Sequence, residues 1–213
     1  MFRIILLFSM TLLTVSVQWQ THIGDESWKH VFIRMRPEFV PEEVKELTKD
    51  PLFSIPLDLQ EKVPEAGTVI LVDFRIPSNH KRLWVVRNNK VLVHCRVAHG
   101  KNSGEIVTEN FSNEPETNMS CKGEFKTGKI YQGDKGLAMR LHGLEAGVND
   151  NAYDRGIVFH GGTYVSSSFL LQHGRIGRSH GCFVTEPSIN ARIIRLCRYG
   201  ATVYVSGHQP VKF

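Results

Sequence analysis

The sequence of 213 residues has only 4 cysteines, no segment rich in basic residues, and no long apolar run beyond its first twenty residues. Lys and Arg outnumber Asp and Glu by 26 to 21, but they are scattered, and no basic run is interleaved with aromatic side chains. This absence excludes nucleic acid as a partner, and the net charge of +5 favours anionic or carboxylate-rich partners instead. Hydrophobic residues make up 41% and charged residues 22%, which excludes disordered, collagen-like and coiled-coil chains.

The first twenty residues have the pattern of a signal peptide. A short positive start at residues 1–3 precedes an apolar stretch at residues 4–17, and no stop-transfer charge follows it. A single membrane anchor is the alternative, but this stretch covers only about 21 Å of a hydrocarbon core of roughly 30 Å. We therefore expect cleavage, export, and a mature protein that is not an integral membrane protein.

The four cysteines of an exported chain meet an oxidising compartment, where three disulfide connectivities are open to them. Cys95 alternates with valines like the buried face of a strand, and Cys197 follows the apolar spacing of a helix, so both are predicted to be core residues. Cys121 lies in a polar stretch, which leaves a Cys95–Cys121 disulfide open. Cys182 differs from all three because glycine precedes it in a loop.

Beyond the signal peptide, the chain divides into an accessory segment at residues 21–66 and a main domain at residues 67–208. The accessory segment contains a candidate helix at residues 41–49, so it is predicted to be small and helical. The main domain is predicted to be mainly β, with strands at 69–74, 82–87, 91–98, 156–160 and 201–206 and a helix at 187–199. Asn88-Asn89 predicts a tight hairpin turn with positive φ, and residues 100–136 predict long loops that cover a site.

Cys182 and His160 are the candidate catalytic pair. Cys182 follows Gly181 in a loop between a predicted strand and a predicted helix, where a thiol is accessible to solvent. A cysteine nucleophile must become a thiolate, and a nearby imidazolium lowers its pKa, so a partner histidine is expected. His160 fits this role best because it ends a strand on the face opposite Ile157 and Phe159 and precedes two glycines.

Two tracts carry a family resemblance, His160-Gly-Gly and Ser179-His180-Gly181-Cys182. Together they resemble the active-site signature of the L,D-transpeptidase catalytic domain. Further blocks in the same order resemble the murein-type branch of that family: residues 71–74, 81–84, 97–104, 111–113, 141–145, 149–152 and 174–179. The resemblance covers about residues 67–208, and it implies a mixed β-sandwich or barrel with long loops and one or two helices.

The resemblance also implies an activity that needs no cofactor. Cys182 matches the nucleophile that forms a thioester with a peptidoglycan tetrapeptide stem, releases D-Ala and passes the stem to an amine acceptor. His160 matches the base, and the carbonyl of Gly161 matches the group that orients this base. The backbone N–H groups of Gly181 and Cys182 are the expected donors to the oxyanion. Donor and acceptor stem peptides are the implied partners.

Several neighbours of the pair are candidates for oxyanion or substrate binding. Ser179 and His180 belong to the signature tract, and Tyr164 follows the glycine pair. Arg175 and Arg178 offer guanidinium groups, which bind carboxylates through two parallel hydrogen bonds.

Three alternative functions stay open at this point. An L,D-carboxypeptidase would form the same thioester and resolve it with water, and a non-catalytic module would only bind the cell wall. A zinc hydrolase would use His142, His160, His180 and Cys182 as ligands. No His-x-x-x-His or Cys-x-x-Cys pair accompanies these residues, so no metal is expected.

Overall fold

One mixed sheet of eight strands forms the framework of the fold. The structure is a computed structural model that describes residues 54–197 and 200–208; the signal peptide predicted at 1–20 and the helix predicted at 41–49 lie outside these residues. The strands in chain order are β1 (Thr68–Asp73), β2 (Leu83–Arg87), β3 (Lys90–Cys95), β4 (Gly123–Gly133), β5 (Gly136–Gly143), β6 (Val158–Gly161), β7 (Phe183–Thr185) and β8 (Thr202–Ser206). Their order across the sheet is β3-β2-β1-β8-β4-β5-β6-β7.

The strands predicted from apolar alternation are confirmed, with one shorter than expected. β3 ends at Cys95 rather than at residue 98, because the chain then leaves β2 and the N–H of Ala98 donates to the carbonyl of Val184 at 2.8 Å. The hairpin turn between β2 and β3 is confirmed as well. Asn88 and Asn89 have φ of 48° and 57°, a conformation that asparagine tolerates better than most residues.

The two edges of the sheet approach each other beside β7. Ala98 bridges Val184, and Gly100 bridges Ser179. The segment that follows β3 at one edge therefore contacts the strand at the other edge, and the sheet nearly closes into a barrel. The prediction of a mainly β fold of the mixed barrel type with few helices is confirmed.

Within the described part of the chain, three α-helices accompany the sheet: α1 (Leu57–Gln60), α2 (Ser167–His173) and α3 (Pro187–Cys197). α3 begins at the predicted residue and buries Ile193, Ile194 and Cys197 in the main core. The prediction extended this helix to residue 199, and residues 198 and 199 lie outside the described part of the chain. No helix among the described residues is long and apolar enough to cross a membrane.

Residues that precede β1 pack on the outer face of the sheet. Val69 and Leu71 of β1 form a second hydrophobic cluster with Trp84, separate from the main core. Ile55 and Leu59 complete this cluster, and both are buried. Part of the segment that the sequence assigned to the accessory region therefore packs against β1 and β2.

The region between residues 100 and 136 differs from its prediction in two ways. The loop is shorter than expected because β4 already begins at Gly123, where it pairs with β8. Cys121 lies in this loop, as predicted, but its side chain is fully buried in the main core. All four cysteines are free, so no Cys95–Cys121 disulfide forms, and Cys95 and Cys197 are core residues as predicted.

Arg82, at the start of β2, is completely buried. Its guanidinium donates to the carbonyl of Val97 from Nε and Nη2 (3.0 and 2.8 Å), to the carbonyl of Ile76 (2.9 Å) and to Thr108 Oγ1 (3.1 Å). Burial lowers the pKa of Arg82 to about 9, and the negative charge of Asp73 opposes this shift. The guanidinium therefore stays charged at neutral pH, and backbone carbonyls rather than a direct ion pair satisfy it.

His99 connects this buried arginine to the chain around Cys182. Its Nδ1 accepts a hydrogen bond from Arg82 Nη2 at 2.7 Å, so Nε2 carries the proton and donates to the carbonyl of Gly104 at 3.1 Å. Burial and the charge of Arg82 lower the pKa of His99 to about 4, which keeps the ring neutral. The backbone carbonyl of His99 accepts from the N–H of Ser179 at 2.8 Å. The buried guanidinium thus fixes the segment that lies along the Ser179 tract.

We expect Arg82→Leu to lower the free energy of unfolding by about 3 kcal/mol, because the buried carbonyls of Val97 and Ile76 would lose their donors. Urea denaturation followed by circular dichroism measures this loss. Arg195→Leu, on the exposed face of α3, is the control, and its stability should change by no more than about 0.5 kcal/mol. Equal losses in the two variants would contradict the role given to Arg82.

Candidate active site

The parallel pairing of β6 with β7 brings the two predicted catalytic residues to one face of the sheet. His160 lies opposite Val184 in this register, and Phe159 lies opposite Phe183. Because side chains alternate along a strand, Cys182, two residues before Val184, belongs to the same face as His160. Phe159 and Phe183 point to the other face and pack in the main core, with ring centroids 5.3 Å apart.

His160 is buried, and its own backbone neighbour orients it. Nδ1 lies 2.9 Å from the carbonyl oxygen of Gly161, which can only accept, so Nδ1 carries the proton and Nε2 is free to act as a base. Burial lowers the pKa of His160, the hydrogen bond to Gly161 raises it, and the positive charge of Lys135 lowers it. Gly161 must be a glycine at this point, since a Cβ would lie 2.9 Å from the Cα of Pro187.

The thiol of Cys182 turns toward the start of β6. Sγ lies 3.6 Å from the carbonyl oxygen of Gly156, and no hydrogen bond joins it to His160 in the described part of the chain. Burial raises the pKa of the thiol, whereas the N–H of Val158 and three nearby cations lower it, namely Lys135, Arg140 and Arg155. The sequence argument expected an imidazolium that stabilises a thiolate. The pKa shifts of Cys182 and His160 instead favour a neutral thiol and a neutral imidazole.

Ser179 holds the turn that carries Cys182. Its Oγ donates to the carbonyl of Cys182 at 2.7 Å and accepts from the N–H of Gly181 at 3.1 Å. Ser179 is itself anchored, because the N–H of Lys101 donates to its carbonyl at 2.7 Å. The Gly181 N–H, an expected oxyanion donor, is therefore engaged within the turn. The N–H of Cys182 has no acceptor among residues 54–197 and 200–208 and is the donor available to an oxyanion.

Gly181 occupies a position that other residues cannot adopt without strain. Its φ is +118°, and an added Cβ would lie 2.8 Å from both Ile157 Cδ1 and the carbonyl oxygen of Met119. The loop that contains Met119 therefore packs directly on the residue before Cys182. This contact agrees with the prediction that part of the region after residue 100 lies over the site.

Tyr164 lies beside Cys182 and is held between two glycines. A Cβ on Gly162 would lie 2.8 Å from its ring, and a Cβ on Gly177 would lie 2.5 Å from it. Tyr164 and Cys182 both pack against a small apolar cluster that includes Val184. Burial and the proximity of Cys182 raise the pKa of Tyr164 to about 12, so its hydroxyl stays protonated.

The other predicted binding residues, Arg175, Arg178 and His180, contact the loop after His99. Arg178 Nη1 lies 2.7 Å from Glu105 Oε1, and Arg175 Nε lies 3.5 Å from Glu105 Oε2. His180 is exposed, with Nε2 at 3.5 Å from Lys101 Nζ. Both arginines thus contact a carboxylate of the chain itself, and the roles predicted for these three residues in substrate binding stay predictions.

Lys135 is a cation near the pair that was not singled out from the sequence. Lys135, at the turn between β4 and β5, lowers the pKa of both His160 and Cys182 by its positive charge. Arg155 Nη2 donates to the carbonyl of Met119 at 2.7 Å and so supports the loop over the turn. The Gly-Asp-Lys-Gly turn is visible in the sequence, but its proximity to the pair depends on the pairing of β5 with β6.

The geometry does not support the alternative in which this chain is a zinc hydrolase. His142 stacks on Tyr153 with ring centroids 4.7 Å apart and is exposed. Within residues 54–197 and 200–208, no group of three His, Cys, Asp or Glu side chains is placed to hold a metal ion.

Comparison with known families accounts for this arrangement. The family model of the L,D-transpeptidase catalytic domain matches residues 54–206. The chain belongs to this family. Residues 54–206 include the whole sheet and every residue of the candidate site, so the L,D-transpeptidase domain begins before β1 and ends with β8.

Solved structures similar to this L,D-transpeptidase domain come from several bacteria. An L,D-transpeptidase from Mycobacterium smegmatis is 15% identical with a TM-score of 0.41, and the match covers 67% of this chain and 59% of that one. An L,D-transpeptidase from Stackebrandtia nassauensis is 20% identical with a TM-score of 0.43, and the match covers 76% of this chain and 65% of that one. This chain thus spans less than two thirds of the length of either. Comparison with curated proteins gave no match.

We expect Gly181→Ala to lower the free energy of unfolding by about 2 kcal/mol, since the new methyl group must displace Ile157 or the Met119 loop. It should also change the rate at which iodoacetamide alkylates Cys182. Gly174→Ala is the matched control, because Gly174 has φ of +69° but no atom within 4 Å of an added Cβ. The control should lose only about 1 kcal/mol and keep the native alkylation rate. Identical behaviour of both variants would contradict a specific contact at Gly181.

Lys135→Gln should raise the pH at which Cys182 is half-maximally alkylated, because the variant removes a positive charge that favours the thiolate. We expect a shift of a few tenths of a pH unit, since exposed charges are screened by solvent and salt. Alkylation is measured by mass spectrometry of the peptide that contains Cys182. Lys129→Gln removes an exposed charge from β4 of the same hairpin and should leave the profile unchanged. A shift of equal size in both variants would point to net charge rather than to Lys135.

Proposed function

We propose that this chain is a peptidoglycan L,D-transpeptidase in which Cys182 is the nucleophile and His160 the base. The observation that carries the proposal is the hydrogen bond from His160 Nδ1 to the Gly161 carbonyl at 2.9 Å. It leaves Nε2 unprotonated on the face of the sheet that also bears Cys182. Membership of the family supplies the reaction class, and the substrate is a tetrapeptide stem of peptidoglycan.

The first half-reaction would form a thioester. The Cys182 side chain rotates away from the Gly156 carbonyl, its proton passes to His160 Nε2, and Sγ attacks the carbonyl carbon between the third and fourth residues of the stem. The N–H of Cys182 is placed to stabilise the oxyanion, a contribution of about 3 kcal/mol for one such donor. When the peptide C–N bond breaks, the imidazolium returns its proton to the departing amine, and D-Ala leaves.

The second half-reaction would transfer the stem to an acceptor amine. His160 takes a proton from this amine as its nitrogen attacks the thioester carbonyl, and when the C–S bond breaks the imidazolium returns this proton to Sγ, which restores both Cys182 and His160. Water at about 55 M competes with the amine, so transfer requires a bound, oriented acceptor and exclusion of solvent. The loop around Met119, which packs on Gly181, and the partly buried ring of Tyr164 favour such exclusion.

The neutral pair fits this sequence of steps better than a permanent ion pair does. A thiol buried beside apolar side chains gains little from ionisation before substrate arrives, because burial disfavours the charged form. Proton transfer to His160 can then accompany attack on the carbonyl. We place the enzyme in the periplasm or cell-wall compartment, where its substrate lies, on the basis of the predicted signal peptide.

The test is incubation of the purified chain with a disaccharide tetrapeptide and mass spectrometry of the products. Dimers cross-linked between third-position residues should be the main product, with D-Ala released. Cys182→Ala and His160→Ala should abolish or severely reduce their formation, whereas Cys197→Ala, in the main core, should lower stability but keep turnover.

Other outcomes point to the alternatives. Release of tripeptide stems alone, even with acceptor in excess, would replace transpeptidation by L,D-carboxypeptidase activity. Binding of cell wall without any product, and unchanged in Cys182→Ala, would favour a non-catalytic binding module.

A further inference from the structure

A carboxylate of the chain itself lies between two arginines next to the Ser179 turn. Glu105 Oε1 is 2.7 Å from Arg178 Nη1, and Glu105 Oε2 is 3.5 Å from Arg175 Nε. The Glu105 side chain is 66% exposed, whereas those of Arg175 and Arg178 are 37% and 22% exposed. The anionic partner is therefore the most accessible member of the group.

Arg178 is oriented independently of Glu105. Its Nη1 also donates to the carbonyls of Lys101 and Gly104, at 2.9 and 3.1 Å. These carbonyls belong to the segment that His99 and the buried Arg82 hold in place. If Glu105 moved away, the guanidinium of Arg178 would keep its direction. Preorganised groups of this kind bind a ligand with little further loss of conformational freedom.

The positive charge of this surface exceeds what Glu105 can neutralise. Two guanidinium groups contact one carboxylate, and Lys101 adds an ammonium group 3.5 Å from the ring of His180. Exposed ion pairs of this type are weak because water screens both partners. A second carboxylate can therefore replace Glu105 without a large loss of binding energy.

We propose that Arg175 and Arg178 form a carboxylate-binding subsite for a stem peptide and that Glu105 occupies this subsite in the free enzyme. A carboxylate of the incoming stem displaces Glu105 and takes over its contacts with the arginines. The proposal rests on the proposed function, since the substrate class follows from it. Arg178 precedes Ser179, whose Oγ donates to the Cys182 carbonyl, so the subsite adjoins the turn that carries Cys182.

The kinetics of the Glu105→Gln variant test whether a carboxylate of the stem displaces Glu105 from the two arginines. The variant leaves both arginines without their internal partner, so KM for a carboxylate-bearing stem should fall by about threefold to tenfold. Donor and acceptor concentrations are varied separately, and the stem whose KM falls is the one that the subsite binds. Glu109→Gln is the matched control, because Glu109 is exposed on the same loop and pairs with no arginine among the described residues. An unchanged KM in Glu105→Gln, or an equal fall in both variants, would overturn the proposal.

A binding measurement tests the carboxylate-binding subsite separately from the proposed L,D-transpeptidase activity. In the Cys182→Ala background, calorimetry compares a stem peptide that has free carboxylates with its amidated counterpart, with and without Glu105→Gln. The added substitution should tighten binding of the free acid severalfold and leave the amide unaffected. If the chain with Cys182 intact forms no product from the same stem, this binding result would retain the subsite and reject the proposed activity. Equal effects on acid and amide would reject the subsite whatever the activity.

Discussion

The buried guanidinium of Arg82 is the constraint on which the candidate site depends. A charge without water must be satisfied by hydrogen bonds, and Arg82 meets this need with the carbonyls of Val97 and Ile76 and with His99. These partners fix the chain that leaves β3. The same chain then pairs through its backbone with Ser179, whose hydroxyl holds the carbonyl of Cys182. The position of Cys182, the proposed nucleophile, thus depends on the hydrogen bonds of Arg82.

Burial also determines the protonation states of His160 and Cys182 before substrate binds. Both His160 and Cys182 lose hydration, so the pKa of the imidazole falls and that of the thiol rises, which favours the uncharged form of each. A nearby cation such as Lys135 lowers both pKa values, so it favours the thiolate while it disfavours the imidazolium. The site can therefore keep Cys182 and His160 uncharged until substrate binds, provided that substrate binding brings the Cys182 thiol to His160 Nε2.

Local features were predictable, and features that depend on strand register were not. Asn88-Asn89 and the start of α3 at Pro187 depend on conformational preferences of the residues themselves, and the structure has both where predicted. The tract around Cys182 was visible because its residues are consecutive. The burial of the Cys121 side chain was not predictable because its neighbours in the loop are polar. The proximity of Lys135 to His160, and of Glu105 to Arg178, requires distant segments to meet, which no local pattern specifies.

The segment after β3 has one part that is fixed by hydrogen bonds within the protein and one part whose contacts a ligand can replace. Both parts adjoin the turn at Ser179. At His99 the ring and the backbone carbonyl are hydrogen-bonded within the protein, so this end positions Ser179 and Cys182. Glu105 follows a few residues later, with a mostly exposed carboxylate whose contacts with Arg175 and Arg178 are weakened by solvent. A nucleophile is held in position by contacts that persist. A charged substrate is bound where contacts within the protein can be replaced by contacts with the ligand. Burial separates the two along a single stretch of chain, because it strengthens the hydrogen bonds of His99 and leaves the ion pairs of Glu105 open to competition.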